Sequence, residues 1–156
     1  MPKTTGVKMV VNPRDKENIC REVLDDFPEK AEREKSIEEL AVMCRTMPVW
    51  AEYNGDTVRG FTALCETSPC SAEMFIIAVR KEYQRHKVGK QLFTSLLNYA
   101  RRQGYEYLQV KTLKTGVCPE YDSANVFYQS LGFRELEVLP LWGEENPCQI
   151  LIRNVN

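Results

Sequence analysis

The chain has 156 residues, enough for one domain that buries about two-thirds of its unfolded surface and folds without disulfides or metals. With 43% apolar and 28% charged residues it is neither disordered nor fibrous, and its longest uncharged stretch, Ser123–Phe133, has 11 residues against the roughly 20 that a bilayer requires. A net charge of −1 argues against wholesale phosphate neutralisation, and so against nucleic acid as a partner.

Residues 1–12 lack the apolar core of a signal peptide, which points to the cytoplasm and to reduced cysteines. Val7–Val11 reads as a short strand. Asn12 and Pro13 are a helix cap and a first-turn proline, and the helix should run to about Asp26, where Phe27-Pro28 breaks it. A second helix is expected from about Glu29 to Thr46, with Ile37, Leu40, Ala41 and Cys44 at helical spacing. Val49–Tyr53 and Thr57–Glu66 form a hairpin across the turn Asn54-Gly55-Asp56. Met74–Val79 is an unbroken apolar run, as in a central strand covered on both faces. Val88–Gln103 is helical, with Val88, Leu92, Leu96 and Ala100 on one face and Gly104 as the stop. Tyr105–Leu113 is a strand. Ser123–Leu131 is a helix, capped by Asp122 or Ser123 and closed by Gly132. Phe133–Leu139 and Gln149–Val155 are the last strands. This order predicts a mixed sheet with helices on both faces, in a single domain over residues 1–156.

The segment joining Val79 to Val88 carries most of the chemistry. A tight strand-to-helix turn leaves N–H groups unpaired at the helix start, and these donors attract anions. Gly89 lets a ligand approach the backbone. Residues 80–90 hold five Lys or Arg residues and His86 against one acid, Glu82. The pattern suits a pyrophosphate or a ribose phosphate, and equally a solvated basic turn. It is not a Walker loop, because Gln84 stands at the first glycine position and Gln91 follows Gly89-Lys90. It is not a Rossmann fingerprint, because it has one glycine.

The run Glu73–Val79, then Tyr83-Gln84 through Gly89-Lys90 and Leu92, resembles the acyl-CoA-binding core of the GNAT superfamily of N-acetyltransferases. In that family's loop pattern, [RQ]-x-x-G-x-[GA], Gln84 and Gly89 match the ends and Lys87 replaces the internal glycine. A second stretch, Asn125-Val-Phe-Tyr128-Gln-Ser-Leu-Gly-Phe133, resembles the family's second signature. Asn125 and Tyr128 fall on one helix face. The closing segment Leu139–Cys148 is similar to an uncharacterised bacterial-type branch.

The resemblance implies a mixed, mostly antiparallel α/β sheet of about seven strands flanked by about four helices. It implies acetyl-CoA as cosubstrate and no metal. It implies that the backbone of Ile77, Ala78 and Val79 holds the pantetheine arm and polarises the thioester. Gln84, Arg85, His86, Lys87, Val88, Gly89 and Lys90 would take the diphosphate, and Asn125 the pantetheine arm or diphosphate. Tyr128 would protonate the leaving thiolate. Glu73, at the head of the central strand, stands where some members place a general base; a solvated strand end explains it as well. His86 belongs to the phosphate turn and is rejected as base.

The acceptor would be a primary amine on a small molecule or peptide. Residues 15–39 hold ten acids and five bases, which leans toward a cationic amine. Trp50 and Trp142 suit either the cleft or the core. A membrane partner is not expected, and a homodimer is left open. The alternative on the same fold is a non-catalytic CoA-binding or interaction module. The six cysteines show no metal spacing and read as small buried hydrophobes.

Overall fold

The computed structural model describes residues 5–27 and 35–156. β1 (Thr5–Val10) leads into α1 (Pro13–Leu24). Asn12 stays extended, and its side-chain oxygen accepts the N–H groups of Arg14 at 2.8 Å and Asp15 at 3.3 Å. Those are two of the donors that a helix start leaves without partners. α1 then buries Ile19, Cys20, Val23 and Leu24.

The second helix is shorter than its spacing suggests. α2 covers Ile37–Cys44, and the expected beginning at residues 29–34 lies outside the described residues. Ser36 sets the start. Its hydroxyl oxygen accepts the Glu39 N–H at 3.1 Å, and the hydroxyl lies 3.2 Å from the Glu39 carboxylate. A Ser and a Glu three residues apart form a capping pair, and this local device fixes the first residue of the helix that ends at Cys44.

The remaining elements are β2 (Val49–Asn54), β3 (Thr57–Ser68), β4 (Ser71–Val79), α3 (Val88–Gln103), β5 (Tyr107–Leu113), α4 (Pro119–Ser130), β6 (Arg134–Leu139) and β7 (Cys148–Asn154). The strands form one sheet of seven in the order β1-β2-β3-β4-β5-β7-β6. β4 and β5 pair in parallel from Ser71↔Tyr107 to Glu73↔Gln109, whereas β1–β2, β2–β3, β5–β7 and β6–β7 are antiparallel. Among the described residues this gives the mixed seven-stranded sheet with four α-helices that the resemblance implies. α4 begins at Pro119 rather than at Ser123, because Pro119 supplies a first-turn φ and Cys118 takes the cap position. Asp122, expected as the cap, instead accepts the Gly116 N–H at 2.8 Å. No helix of the described residues is long and apolar enough to cross a membrane.

The chain divides into two compact units. One takes the chain up to Cys65 together with Met74–Tyr99; the other takes Glu66–Glu73 and Ala100–Asn156. In the first, Ile19, Val23, Leu24, Ala41, Cys44, Val49, Ala51, Phe61 and Ala78 share one core. Trp50 belongs to the interior too, edge-on to Tyr99 with ring centroids 5.1 Å apart. None of the six cysteines is in a disulfide among the described residues; Cys20, Cys44, Cys118 and Cys148 are buried, Cys65 is half-buried and Cys70 exposed. In the second unit, pairing puts Leu108, Val110 and Thr112 of β5 on one face with Arg153, Leu151 and Gln149 of β7. Arg153 Nη1 donates to the Leu131 carbonyl at 2.7 Å, so this face lies beneath the end of α4. Gln109 and Lys111 point to the other face with Ile152 and Ile150.

Candidate active site

In the first unit, β4 ends at Val79 and a short 3₁₀ turn, Lys81–Tyr83, carries the chain toward α3. The turn is anchored at its near end. The Arg80 N–H donates to the Arg59 carbonyl at 2.9 Å, the Lys81 N–H to Asp26 Oδ2 at 3.0 Å, and Gln84 Nε2 to the Val79 carbonyl at 3.2 Å. Beyond Gln84 the side chains of Arg85, His86, Lys87 and Lys90 are exposed, while Val88 is buried. The Gln91 N–H closes the first helical turn on the Lys87 carbonyl at 3.1 Å. The N–H groups of Val88, Gly89 and Lys90 therefore precede the first intrahelical bond and point out of the helix end.

Arg85 has φ 71° and Lys87 φ 63°. Both are in the left-handed region, which costs a side-chain-bearing residue about 1 kcal/mol. Lys87 thus keeps the backbone conformation that glycine would adopt at that position of the loop pattern. The side chain it carries there is an exposed cation.

β3 supports this end of β4 through a residue that the sequence reading passed over. A Cβ at Gly60 would lie 2.8 Å from the Ala78 carbonyl oxygen and 3.2 Å from Val79 Cα and Leu92 Cδ1. Two of those atoms are backbone and have little room to yield. Gly60→Ala is expected to destabilise the fold by about 2 kcal/mol, an overpacking cost. A thermal melt within 1 °C of wild type would show that the strands part freely.

In the second unit, α4 presents Asn125 and Tyr128. Asn125 is 2% exposed. Its Nδ2 donates to the Leu113 carbonyl and to Thr115 Oγ1, both at 3.0 Å, which fixes the orientation of the amide. Its Oδ1 is buried with no hydrogen-bond donor against it. Thr112 Oγ1 and Gln149 Oε1, cross-strand neighbours on the same two strands, are unpartnered in the same way. Tyr128 packs edge-on to Phe133 at 6.3 Å between centroids and tilted against Phe127 at 5.9 Å. Burial, with the nearby Tyr121 adding to it, pushes the Tyr128 phenol well above its ordinary pKa. The phenol is therefore neutral and a proton donor across the whole physiological range.

Glu73 is the third residue of β4 and lies in this second unit. It is buried, and Lys111 Nζ donates to its Oε1 at 3.2 Å. The sequence reading did not find Lys111. The partnership depends on the parallel register of β4 and β5, which sets Glu73 beside Gln109 and diagonal to Lys111. Of the expected site residues, Ile77, Ala78, Val79 and Gln84–Lys90 belong to the first unit, and Glu73, Asn125 and Tyr128 to the second.

A strand, a basic turn and the open N-terminus of an amphipathic helix, followed by a helix bearing Asn and Tyr one turn apart, are the elements that the sequence resemblance implies. The family model for the acetyltransferase (GNAT) domain matches residues 45–135, more than half of the chain. The chain belongs to the GNAT acetyltransferase family. It is similar to the uncharacterized N-acetyltransferase YsnE of Bacillus subtilis, 29% identical over 96 residues, 62% of each protein. The chain spans less than two thirds of the length of the curated relatives it matches. Among solved structures, a protein assigned to the GNAT family from Desulfovibrio desulfuricans superposes with TM-score 0.80 at 19% identity, covering 98% of this chain and 100% of that one. An aminoglycoside 6'-N-acetyltransferase complexed with coenzyme A superposes with TM-score 0.75 at 16% identity, covering 96% and 97%.

Proposed function

We propose that this chain is a single N-acetyltransferase domain that moves the acetyl group of acetyl-CoA to a primary amine by direct attack in a ternary complex. The observation that carries the reading is the turn after β4, where exposed Arg85, His86, Lys87 and Lys90 surround the free N–H groups at the start of α3. A diphosphate finds there both oriented backbone donors and counter-charge. The unpartnered Oδ1 of Asn125 supports the second contact, since the pantetheine arm carries amide N–H donors. The backbone N–H groups of Ile77 and Val79, flanking Ala78, would polarise the thioester carbonyl.

In the proposed reaction the amine arrives as an ammonium and gives one proton to Glu73, directly or through a water. The neutral nitrogen attacks the carbonyl carbon, a C–N bond forms and the C–S bond breaks. The thiolate takes the Tyr128 proton. The nitrogen loses its second proton as the amide forms, Tyr128 is reprotonated, and one proton is released overall.

Calorimetry with CoA tests the binding half. Micromolar-range affinity that weakens as salt rises is expected, because exposed phosphate contacts are screened. No heat at millimolar CoA would overturn the reading. Thiol release from acetyl-CoA in the presence of a panel of amines tests the chemistry, and binding without release would leave a CoA-binding module instead.

Glu73→Gln tests the base. It keeps the shape and removes the proton acceptor, so turnover should fall at neutral pH and recover in part at alkaline pH, where free amine is more abundant. Superimposable pH–rate profiles would return Glu73 to a structural role.

A further inference from the structure

The proposed reaction leaves the acceptor open, and one ion pair in the second unit bears on it. On the sheet face that carries Glu73, side chains fall in rows across the strands. Glu73, Gln109, Ile152 and Arg134 form one row, and Lys111, Ile150 and Glu137 the next. Glu73 and Lys111 meet across the two rows at 3.2 Å, the carboxylate 10% exposed and the ammonium 34%. The Gln109 amide is taken by Thr67 Oγ1 at 3.2 Å. Ile150 is buried and Ile152 half-buried, so an apolar strip borders the pair.

A carboxylate that receives a substrate ammonium must share or release the one it already holds. An amine alone would then leave Lys111 without its counter-charge, and unpairing one member of a partly buried ion pair is costly. A polyamine would in addition bring further positive charge toward Lys111. A substrate with its own carboxylate beside the amine replaces both partners at once. In an α-amino acid a single carbon separates the two groups, which matches charged atoms 3.2 Å apart.

We propose that Glu73 and Lys111 form an acceptor subsite for a free α-amino acid with an apolar side chain. The ammonium sits on Glu73, the carboxylate on Lys111, and the side chain on Ile150 and Ile152. For its chemistry this rests on the acetyl-transfer reading above; the binding stands without it.

The test is calorimetric titration of the whole chain, saturated with CoA, with L-leucine, L-leucinamide and 3-methylbutylamine. Leucine should bind about tenfold or more tightly than the other two, the worth of one hydrogen-bonded charge contact at a half-exposed site. Lys111→Met should abolish that preference, and Lys111→Arg should keep most of it. Melting curves confirm that each variant is folded, and Lys111→Gln replaces Lys111→Met if it is not. Equal binding of leucine and leucinamide overturns the subsite, as does a preference that survives loss of the charge, or no binding of any of the three. Thiol release from acetyl-CoA, followed on the same samples, separates the two readings. Lys111-dependent leucine binding without release overturns acetyl transfer and leaves the subsite. Release with all three amines alike does the reverse.

Discussion

Tyr128→Phe is expected to lower kcat by about 100-fold or more, the usual loss when a general acid is removed, and to leave acetyl-CoA affinity nearly unchanged. The ring keeps its contacts with Phe127 and Phe133, so the fold does not feel the change. No hydrogen bond among the described residues occupies the hydroxyl, which leaves it free to donate to a departing sulfur. A role confined to the departing thiolate appears in kcat and not in substrate binding. Because burial lifts the phenol far above neutrality, Tyr128 does not titrate between about pH 6 and 9. The variant's pH–rate profile should therefore be lower than wild type but of the same shape. An unchanged kcat, with chemistry shown to be rate-limiting by single-turnover measurement, would remove Tyr128 from the mechanism.

The largest expected effect on stability lies away from the reacting groups. Arg59 grips Glu52 with two bonds, Nε to Oε1 at 2.8 Å and Nη2 to Oε2. The Glu52 side chain is 0% exposed and that of Arg59 18%. The Glu52 bond lifts the Arg59 pKa above its already high value, so the guanidinium stays charged at every working pH. Arg59→Met keeps much of the apolar stem and strands a buried carboxylate, at a cost of about 3–5 kcal/mol. Against a total stability of about 5–15 kcal/mol that is a severe loss, equivalent to a fall in Tm of about 10 °C. Glu52→Gln combined with Arg59→Met should recover part of the deficit, because the stranded charge is gone. A single variant that melts within 2 °C of wild type would show that solvent reaches Glu52 once Arg59 is removed.

How much of this was legible in the sequence depended on how local each signal is. The β4–turn–α3 segment was readable because an apolar run passes into helical spacing within one stretch of chain. Asn125 and Tyr128 were singled out by their resemblance to the family's second signature, and their three-residue spacing places them on one helix face whatever surrounds the helix. The starts of α2 and α4 were misplaced. Ser36, which helical spacing places inside one longer helix, caps α2 instead, and α4 starts at Pro119, ahead of the cap expected at Asp122 or Ser123. Lys111 was invisible because its meeting with Glu73 is fixed by a parallel register between strands joined through a whole helix. Gly60 was passed over because its reason lies in another strand's carbonyl. Nothing in a lysine's chemistry announces a left-handed backbone, so the positive φ of Lys87 was not legible at the position where the loop pattern has glycine.

Among the described residues the sheet order leaves β6 with one side unpaired at the end of the second unit. Such a rim invites strands of other molecules to add to it and seed aggregates. Leu136 and Val138 are exposed there and would favour such addition. Arg134, Glu135 and Glu137 stand among them, the register slips between Glu135 and Glu137, and Pro140 follows the last residue of the strand. Charged side chains on the rim would have to give up water to be covered, the slipped register bends the rim out of line, and proline offers no N–H to extend it. β6 is thereby a terminus of the sheet by its own chemistry, a poor template for a further strand despite the two apolar side chains on its rim.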